Sequence, residues 1–531
     1  MFSRCYFHHS QENSIERKSA KKCFTQAIIG TSNLLQAART IIFWMTNFSK
    51  ESAWQEARQL INLAIPTVIV QLGANIPPAL TASYVGRHLG STYLDGFTLA
   101  NLTGNLCTLS LLSGLYSASD TLAPQAFGAG NYRELGLLLM RGLTGSMIVL
   151  IPINLVLLMY MEQLLILCGQ DPVPSALAAK WYSIYLLSLP FYALYMVTWK
   201  FLSAQAIMTP LVVILIVTLL SLPLLLETFV TRFGFLGSAL AILTYMLSQA
   251  ILLVAYLWWQ KPHTPDSWPG LGAWGEALAW KPFVTYMSLG LGGILSASEW
   301  IYWEMLGIMI GKLGQVPLAV HTVPTQVLMV AFMVPLGLGI ALSIRLGQVL
   351  PRSVTRAKQL LVWTFIVAFI LVSGISGWLY IYRNFVFHIF TNEDQVLKGC
   401  ESIWPQVVFY NWTLSISAIS MGAATGLGMQ WTLGFVTFTC LWVVGMPGLW
   451  YFAIHREGGI EVAWNWIYPP YMAMNTIMCY YFYIADWDAI SKSIRIREGI
   501  DSDSDSDQDR TISMYGAMDT SLILKPEHTS P

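Results

Sequence analysis

Apolar runs about as long as a bilayer is thick recur along this chain from Ala57 to Ile484, and no other feature restricts its fold so strongly. A helix rises about 1.5 Å per residue, so about 20 apolar residues cross the hydrocarbon core while satisfying their own backbone hydrogen bonds. Charged residues make up only 11% of the 531 positions and hydrophobic ones 55%, against about 25% charged in a soluble protein. Windows bounded by Gly, Pro and charge give about twelve spans by the helix-length criterion, the first near 57–84 and the last near 462–485. The expected fold is therefore an all-α integral membrane protein. Its formal net charge is zero, which sets aside nucleic-acid binding, since that activity leaves a basic footprint.

The spans fall into two groups. A polar stretch with Lys261, Pro262, Pro265, Asp266 and Pro269 separates the sixth from the seventh, giving an expected tail over 1–53, a first lobe over 54–259, a linker over 260–280, a second lobe over 281–487 and a tail over 488–531. An even number of spans returns both termini to one side. Basic residues concentrate there, among them Arg58, Arg133, Lys281, Arg352, Arg356 and Lys492, so the positive-inside rule puts both termini in the cytoplasm. The acidic run Asp501-Ser502-Asp503-Ser504-Asp505-Ser506-Asp507 makes the last tail read as disordered and solvated. The first 50 residues lack the long apolar run and small-residue cleavage site of a signal peptide. No two of the seven cysteines stand as C-x-x-C, so a zinc or redox motif is not expected; Cys168 and Cys400 read as packed thiols, with a disulfide as the alternative.

An internal repeat carries more information than any single span. His88-Leu89-Gly90 with Leu94 and Thr98 matches Lys312-Leu313-Gly314 with Leu318 and Thr322; Gly114-Leu115, Ala118 and Gln125 match Gly337-Leu338, Ala341 and Gln348. Asp171 matches Asp394, and Gly234 through Ala239 match Gly458 through Ala463, all at offsets of 223 or 224. Two six-helix lobes related by a pseudo-two-fold axis along the membrane normal follow, with substrate expected near the midplane between them and alternating access as the mechanism.

The same segments resemble a known family. Leu89-Gly90 with Leu94 and Thr98-Leu99-Ala100-Asn101, then Gly114-Leu115, Ala118-Ser119-Asp120-Thr121-Leu122 and Gln125-Ala126-Phe127-Gly128-Ala129-Gly130-Asn131, are similar to the multidrug and toxic compound extrusion (MATE) family, eukaryotic type. The likeness runs on through Gly169-Gln170-Asp171-Pro172, Met333-Val334-Pro335-Leu336-Gly337-Leu338 and Ser343-Ile344-Arg345-Leu346-Gly347-Gln348, and covers about 54–485. It implies a secondary exporter of organic, often cationic, compounds driven by inward proton or sodium movement, without a cofactor. It also implies an essential glutamate matching Glu299. Leu350-Pro351-Arg352-Ser353 departs from the family's Gly-Ala-Gly turn, and Gln326 and Leu414 stand where animal relatives often carry acidic residues.

Carboxylates inside apolar spans cost about 2.5–3.5 kcal/mol on insertion scales, so each is a functional candidate. Glu299 and Glu304 meet that test early in the seventh span and are the proposed proton-coupling and substrate-binding pair. Burial favours the neutral form of a carboxyl group, so such a group takes up a proton, and proton and cation then compete for it. Five positions turn a helix by about 140°, which leaves the two carboxylates on different faces and favours Glu299. Trp300, Tyr302 and Trp303 offer cation–π contacts, Gln71, Asn105 and Gln326 hydrogen bonds from the cavity wall, and Asp120 and Gln205 gating or helix-end roles, as does Lys200. His321 reads as a hydrogen-bonded packing residue. The sequons at Asn47, Asn101 and Asn411 fall inside spans or on the cytoplasmic side and are not expected to be used.

The expected activity is export of small organic compounds in exchange for protons, with Na⁺ as the alternative ion, by a monomer in the plasma membrane. A lipid-linked precursor flippase and a non-transporting receptor or scaffold are the competing readings. No pairing of nucleophile with base points to an enzyme, and no ligand spacing points to a metal.

Overall fold

The computed structural model describes residues 50–501. The expected N-terminal tail before residue 50, its Asn47 sequon and the acidic run from Ser502 lie outside the described residues. Residues 50–54 are helical and belong to a separate unit; the body begins at Gln55.

Among the described residues twelve helices have membrane-crossing length: α1 (Gln55–Leu89), α2 (91–129), α3 (Glu134–Leu167), α4 (172–203), α5 (Thr209–Phe233), α6 (Phe235–Gln260), α7 (Trp280–Gly311), α8 (Gln315–Val349), α9 (Val354–Ile381), α10 (Asp394–Leu427), α11 (Gln430–His455) and α12 (Gly459–Ile484). Eight are apolar enough to cross on composition alone; α2, α4, α7 and α12 are not among them. The outer faces expose Ile151, Leu155 and Met159 on α3, Leu220 and Leu224 on α5, and Phe369 and Ile370 on α9, side chains that lipid solvates and water does not.

The repeat appears in the backbone. Gly90 opens α2 at φ 97° and Gly314 opens α8 at φ 116°, left-handed values that glycine adopts without a Cβ penalty. The linker between lobes is held by Arg133 to Glu276 and by Arg141 Nε donating to the Ala277 carbonyl at 2.7 Å. Outside the spans, the Arg133 guanidinium holds the Glu276 carboxyl below its usual range.

Three apolar cores show how the lobes meet. One lies wholly in α1–α6 and includes Phe97, Trp181 and Tyr182; a second lies wholly in α7–α12 and includes Tyr302, Trp404 and Trp464. The third joins both lobes at the end of the bundle that carries the termini, with Leu60, Leu122 and Leu202 beside Leu342, Leu427 and Met478. The body is therefore a V, joined at the terminus face and parted at the opposite one.

Close backbone approach closes the seam. A Cβ at Gly337 on α8 would lie 2.8 Å from the Val68 nitrogen on α1, and one at Gly293 on α7 would meet Gly114 and Ser117 on α2. Hydrogen bonds cross the same seam: Thr121 Oγ1 to the Thr425 carbonyl at 2.6 Å, Gln125 Nε2 to the Gly426 carbonyl at 2.9 Å, and Gln348 Nε2 to the Ala204 carbonyl at 2.9 Å. Arg352, in the segment that departs from the family's turn, donates to the Gly128 carbonyl at 2.7 Å. The Glu56–Arg345 pair joins α1 to α8 at 2.9 Å.

The tail expected to be disordered from 488 instead begins with a helix, α13 (Trp487–Arg497), whose Trp487, Ile490 and Ile494 are buried. Their spacing of three and four residues forms one apolar face. Asp486 caps the helix, accepting from the Ala489 N–H at 3.1 Å. The helix straddles the seam. Ser491 donates to the carbonyl of Leu350, the residue that caps α8, at 2.9 Å, while Arg497 reaches Gln125 of α2 at 2.8 Å and Glu498 accepts from Asn131 at 3.0 Å.

Candidate functional site

The V encloses a cavity of about 510 Å³, within the range of organic-ligand sites. Its walls differ in chemistry. On the second-lobe wall stand Glu299, Trp300, Trp303 and Glu304 from α7 with Met329, Met333 and Met421. On the first-lobe wall stand Gln71, Asn101 and Asn105, with Tyr192, Tyr195 and Trp199 along α4. Asp120 of α2 and Lys200 of α4, also from the first lobe, form an ion pair at 2.8 Å on the cavity lining.

Most of the sequence-derived residues converge here. Glu299 belongs in the middle of α7, about two thirds of the way along it, and not early in the span. A small pocket formed by Trp300, Trp303, Leu328, Met329, Phe332 and Met421 adjoins it. Glu304, five residues further along the helix, is exposed at the cavity edge. Gln71 and Asn105 line the opposite wall, Asn105 at the start of a π-helical turn, Asn105–Leu109, a distortion frequent at functional sites.

Two expectations fail on side-chain direction. Tyr302 does not line the cavity; it is fully buried inside the second lobe, with ring centroids 6.1 Å from Trp442 and 6.3 Å from Tyr471. Gln326 is exposed on α8 and is absent from the cavity wall. Gln205 anchors the linker, donating to the Phe201 carbonyl at 3.1 Å and accepting from the Thr264 N–H at 2.9 Å. Asp120 pairs with Lys200 at the cavity base, and its carbonyl accepts from Ser343 across the seam at 3.3 Å. His321 packs on Trp464 at 5.4 Å, away from the cavity. Cys168 and Cys400 are free thiols, so the disulfide alternative falls. Among the described residues no group of three His, Cys, Asp or Glu side chains is arranged to hold a metal ion.

The aromatic wall of α4 escaped sequence reasoning. Tyr192, Tyr195 and Trp199 recur at i, i+3 and i+7, the spacing of one helix face, and that stripe was the available signal. The Tyr195 hydroxyl and Trp199 Nε1 are buried and complete no hydrogen bond among the described residues. This wall offers flat apolar surface and hydrogen bonds, and the α7 wall offers a carboxylate flanked by indoles.

The family model MatE matches residues 66–227 and 293–451, one segment in each lobe. The chain is 29% identical to multidrug and toxin extrusion protein 1 of Xenopus tropicalis over 85% of its length and 78% of the relative's. It is 28% identical to the Homo sapiens protein of the same name, over 74% and 68%, and 27% identical to an uncharacterised transporter of Schizosaccharomyces pombe over 83% of each. The crystal structure of the eukaryotic MATE transporter AtDTX14 superposes with a TM-score of 0.76 at 22% identity, covering 84% of this chain and 99% of that one. A Vibrio cholerae MATE transporter, VcmN, gives 0.71 at 18% identity over 84% and 98%. With both halves of the repeat matched and the twelve-helix, two-lobe fold shared, the chain belongs to the MatE family of multidrug and toxin extrusion transporters.

Proposed function

We propose that this protein is a secondary antiporter that exports organic cations in exchange for protons, with Glu299 as the site for which the two compete. The observation that carries this reading is a carboxylate in the midst of a membrane-spanning helix, bordering the inter-lobe cavity between Trp300 and Trp303. A bare carboxylate there is costly unless it is neutralised, and either a cation or a proton neutralises it. An arriving proton removes the charge that held the cation. The indole faces add attraction for the cation alone, on the order of 0.5–2 kcal/mol each when well placed. The first-lobe amides, Gln71 and Asn105, do not titrate, so coupling resides in the second lobe.

Basic residues on the terminus face make that face cytoplasmic by the positive-inside rule. The described conformation then opens outward, and rocking of the lobes about the shared core exposes the cavity to the cytoplasm. The plasma membrane is the expected location. A flippase for a lipid-linked precursor would want several uncommitted cationic side chains in the groove. Lys200 is instead bonded to Asp120, and Arg141 to Glu134 and the Ala277 carbonyl, which favours the cation exporter.

The test is export of a fluorescent organic cation by proteoliposomes under an imposed pH gradient, with wild type beside Glu299→Gln and a parallel sodium gradient. Proton-driven transport that disappears in the variant is expected. Transport indifferent to the pH gradient but driven by sodium would replace the proton; transport unchanged in Glu299→Gln would overturn the role of this residue.

A further inference from the structure

The three most exposed tryptophans among the described residues stand where two helices meet the inter-lobe linker. Trp258 and Trp259 fall in the last turn of α6 and Trp280 in the first turn of α7, and they are 80%, 77% and 80% exposed. Two of them end stripes that face lipid. On α6 the exposed Ile251 and Val254 precede Trp258 at i, i+3 and i+7; on α7 Trp280 precedes the exposed Val284 and Leu291 at i, i+4 and i+11. Both spacings keep to one helix face. The linker adds Trp268, Leu271 and Leu278, exposed as well. Apolar side chains left uncovered together in so short a segment mark an interaction surface.

The opposite side of the linker is already committed. Two 3₁₀ turns, Pro265–Ser267 and Leu271–Ala273, and one helical turn, Trp274–Ala277, bury Ser267, Ala273 and Ala277. Ala273 and Ala277 share an apolar cluster with Leu137 and Met140 of α3. Gly136 of that helix admits the linker so closely that a Cβ there would lie 2.6 Å from the Ser267 carbonyl oxygen. The Thr264 N–H on Gln205 and the Ala277 carbonyl on Arg141 complete the attachment, and each of these contacts is with the first lobe. The linker is thus seated against the terminus ends of α3 and α4, with Trp268, Leu271 and Leu278 left on its outer side. Lys261 and Lys281 are exposed at its two ends and Asp266 between them, while Glu276 is paired with Arg133. Two lysines less one aspartate leave the element one positive charge.

We infer that the linker, residues 261–279, is an in-plane lipid-binding element whose outer face rests in the headgroup layer of the terminus-side leaflet, and that its occupant is anionic phospholipid. The exposed surface continues the lipid-facing stripes of α6 and α7, which end at Trp258 and Trp280 on either side of it. Indoles suit that layer, because the ring packs against the upper acyl chains while its N–H reaches headgroup oxygens. The lysine at each end draws in negatively charged headgroups. Lipid seated there fixes the depth of the first lobe at its terminus end.

The test attaches a small polar fluorophore to Leu271→Cys, and separately to Leu278→Cys, in the full-length protein without native cysteines, reconstituted in vesicles of phosphatidylcholine and phosphatidylserine. Both positions are exposed, so either reports should the other disturb the linker. Three quenchers are compared: aqueous iodide, and a nitroxide high on the acyl chain of either phosphatidylcholine or phosphatidylserine. Both lipid nitroxides are expected to quench, and iodide to reach the fluorophore much less than it reaches the free dye. The serine lipid should quench about fivefold more per molecule than the choline lipid, the enrichment that one net positive charge supplies near the surface, and Lys261→Gln with Lys281→Gln should remove that preference. Free access of iodide with no quenching by either lipid would overturn the inference. Shielding from iodide and from both lipids would overturn it as well, and would assign the face to a second copy of the chain. Equal quenching by the two lipids in the parent protein would overturn the choice of anionic phospholipid.

Discussion

The strap formed by α13 makes the sharpest prediction, because it is joined covalently to the second lobe through Ala485 and Asp486 and hydrogen-bonded to the first. Opening of the terminus face must break the Arg497 bond to Gln125 and the Glu498 bond to Asn131, at 2.8 and 3.0 Å. Replacing Arg497 by Ala removes the first and leaves Glu498, whose side chain is only 3% exposed, without its guanidinium partner. A hydrogen bond from a charged donor contributes about 1.5–3 kcal/mol when buried, so the closed state loses about that much relative to the open one. A shift of this size multiplies the open population about 10- to 100-fold. The assay places a single cysteine at Ser343, at the cavity base, in a background without native cysteines, and applies a membrane-impermeant thiol reagent from the terminus side of oriented proteoliposomes. Labelling of Ser343→Cys should quicken by that factor when Arg497→Ala is added. An unchanged rate in a variant that elutes and melts normally would refute the idea that α13 restrains the seam.

The pair at the cavity base predicts a pattern across variants. Lys200→Met should cost about 2–4 kcal/mol by stranding Asp120 in a poorly hydrated site, and Asp120→Asn added to it should restore most of the loss; thermal unfolding in detergent reads both, and additive losses would exclude coupling. Gly337→Val inserts a branched side chain where a Cβ alone would lie 2.8 Å from Val68. It should cost about 1–3 kcal/mol and abolish transport by forcing α1 and α8 apart, so a fully active variant would show that this contact is dispensable. Gln326→Ala should leave cation transport and its pH dependence unchanged, and a large loss would place this residue on the substrate path after all.

Span count, lobe division and the repeat could be read from sequence because the bilayer imposes a length on every crossing and the repeat imposes glycines at equivalent turns, Gly90 and Gly314 among them. The place of Glu299 on the cavity wall was legible for a related reason: a carboxylate in an apolar run has few structural uses. Direction around a helix was not legible. α8 is apolar on nearly every side, so periodicity could not say whether Gln326 faced the cavity. Tyr302 and Trp303 are neighbours on α7, one helical turn from Glu299, yet only Trp303 reaches the cavity, because α11 and α12 supply Trp442 and Tyr471 as ring partners for Tyr302. The helix α13 was hidden by composition. Charged and serine residues make up most of 488–498, and the spacing of Trp487, Ile490 and Ile494 shows its purpose only once a groove between the lobes is there to receive it.

The uneven hydropathy of the twelve helices bears on how the chain is made. A helix carrying the amides and hydroxyls of α2, or the two carboxylates of α7, gains little by entering lipid alone, since an intramembrane charge costs about 2.5–3.5 kcal/mol on insertion scales. Each helix outside the apolar set has a strongly apolar neighbour in sequence: α1 precedes α2, α3 precedes α4, α8 follows α7 and α11 precedes α12. Entry in pairs lets the apolar member carry the polar one across, so that Asn105 and Glu299 meet protein from the moment they leave the translocation machinery. Biogenesis of this fold is then a matter of hairpins, in which the less apolar helix of each pair is the passenger of its apolar neighbour.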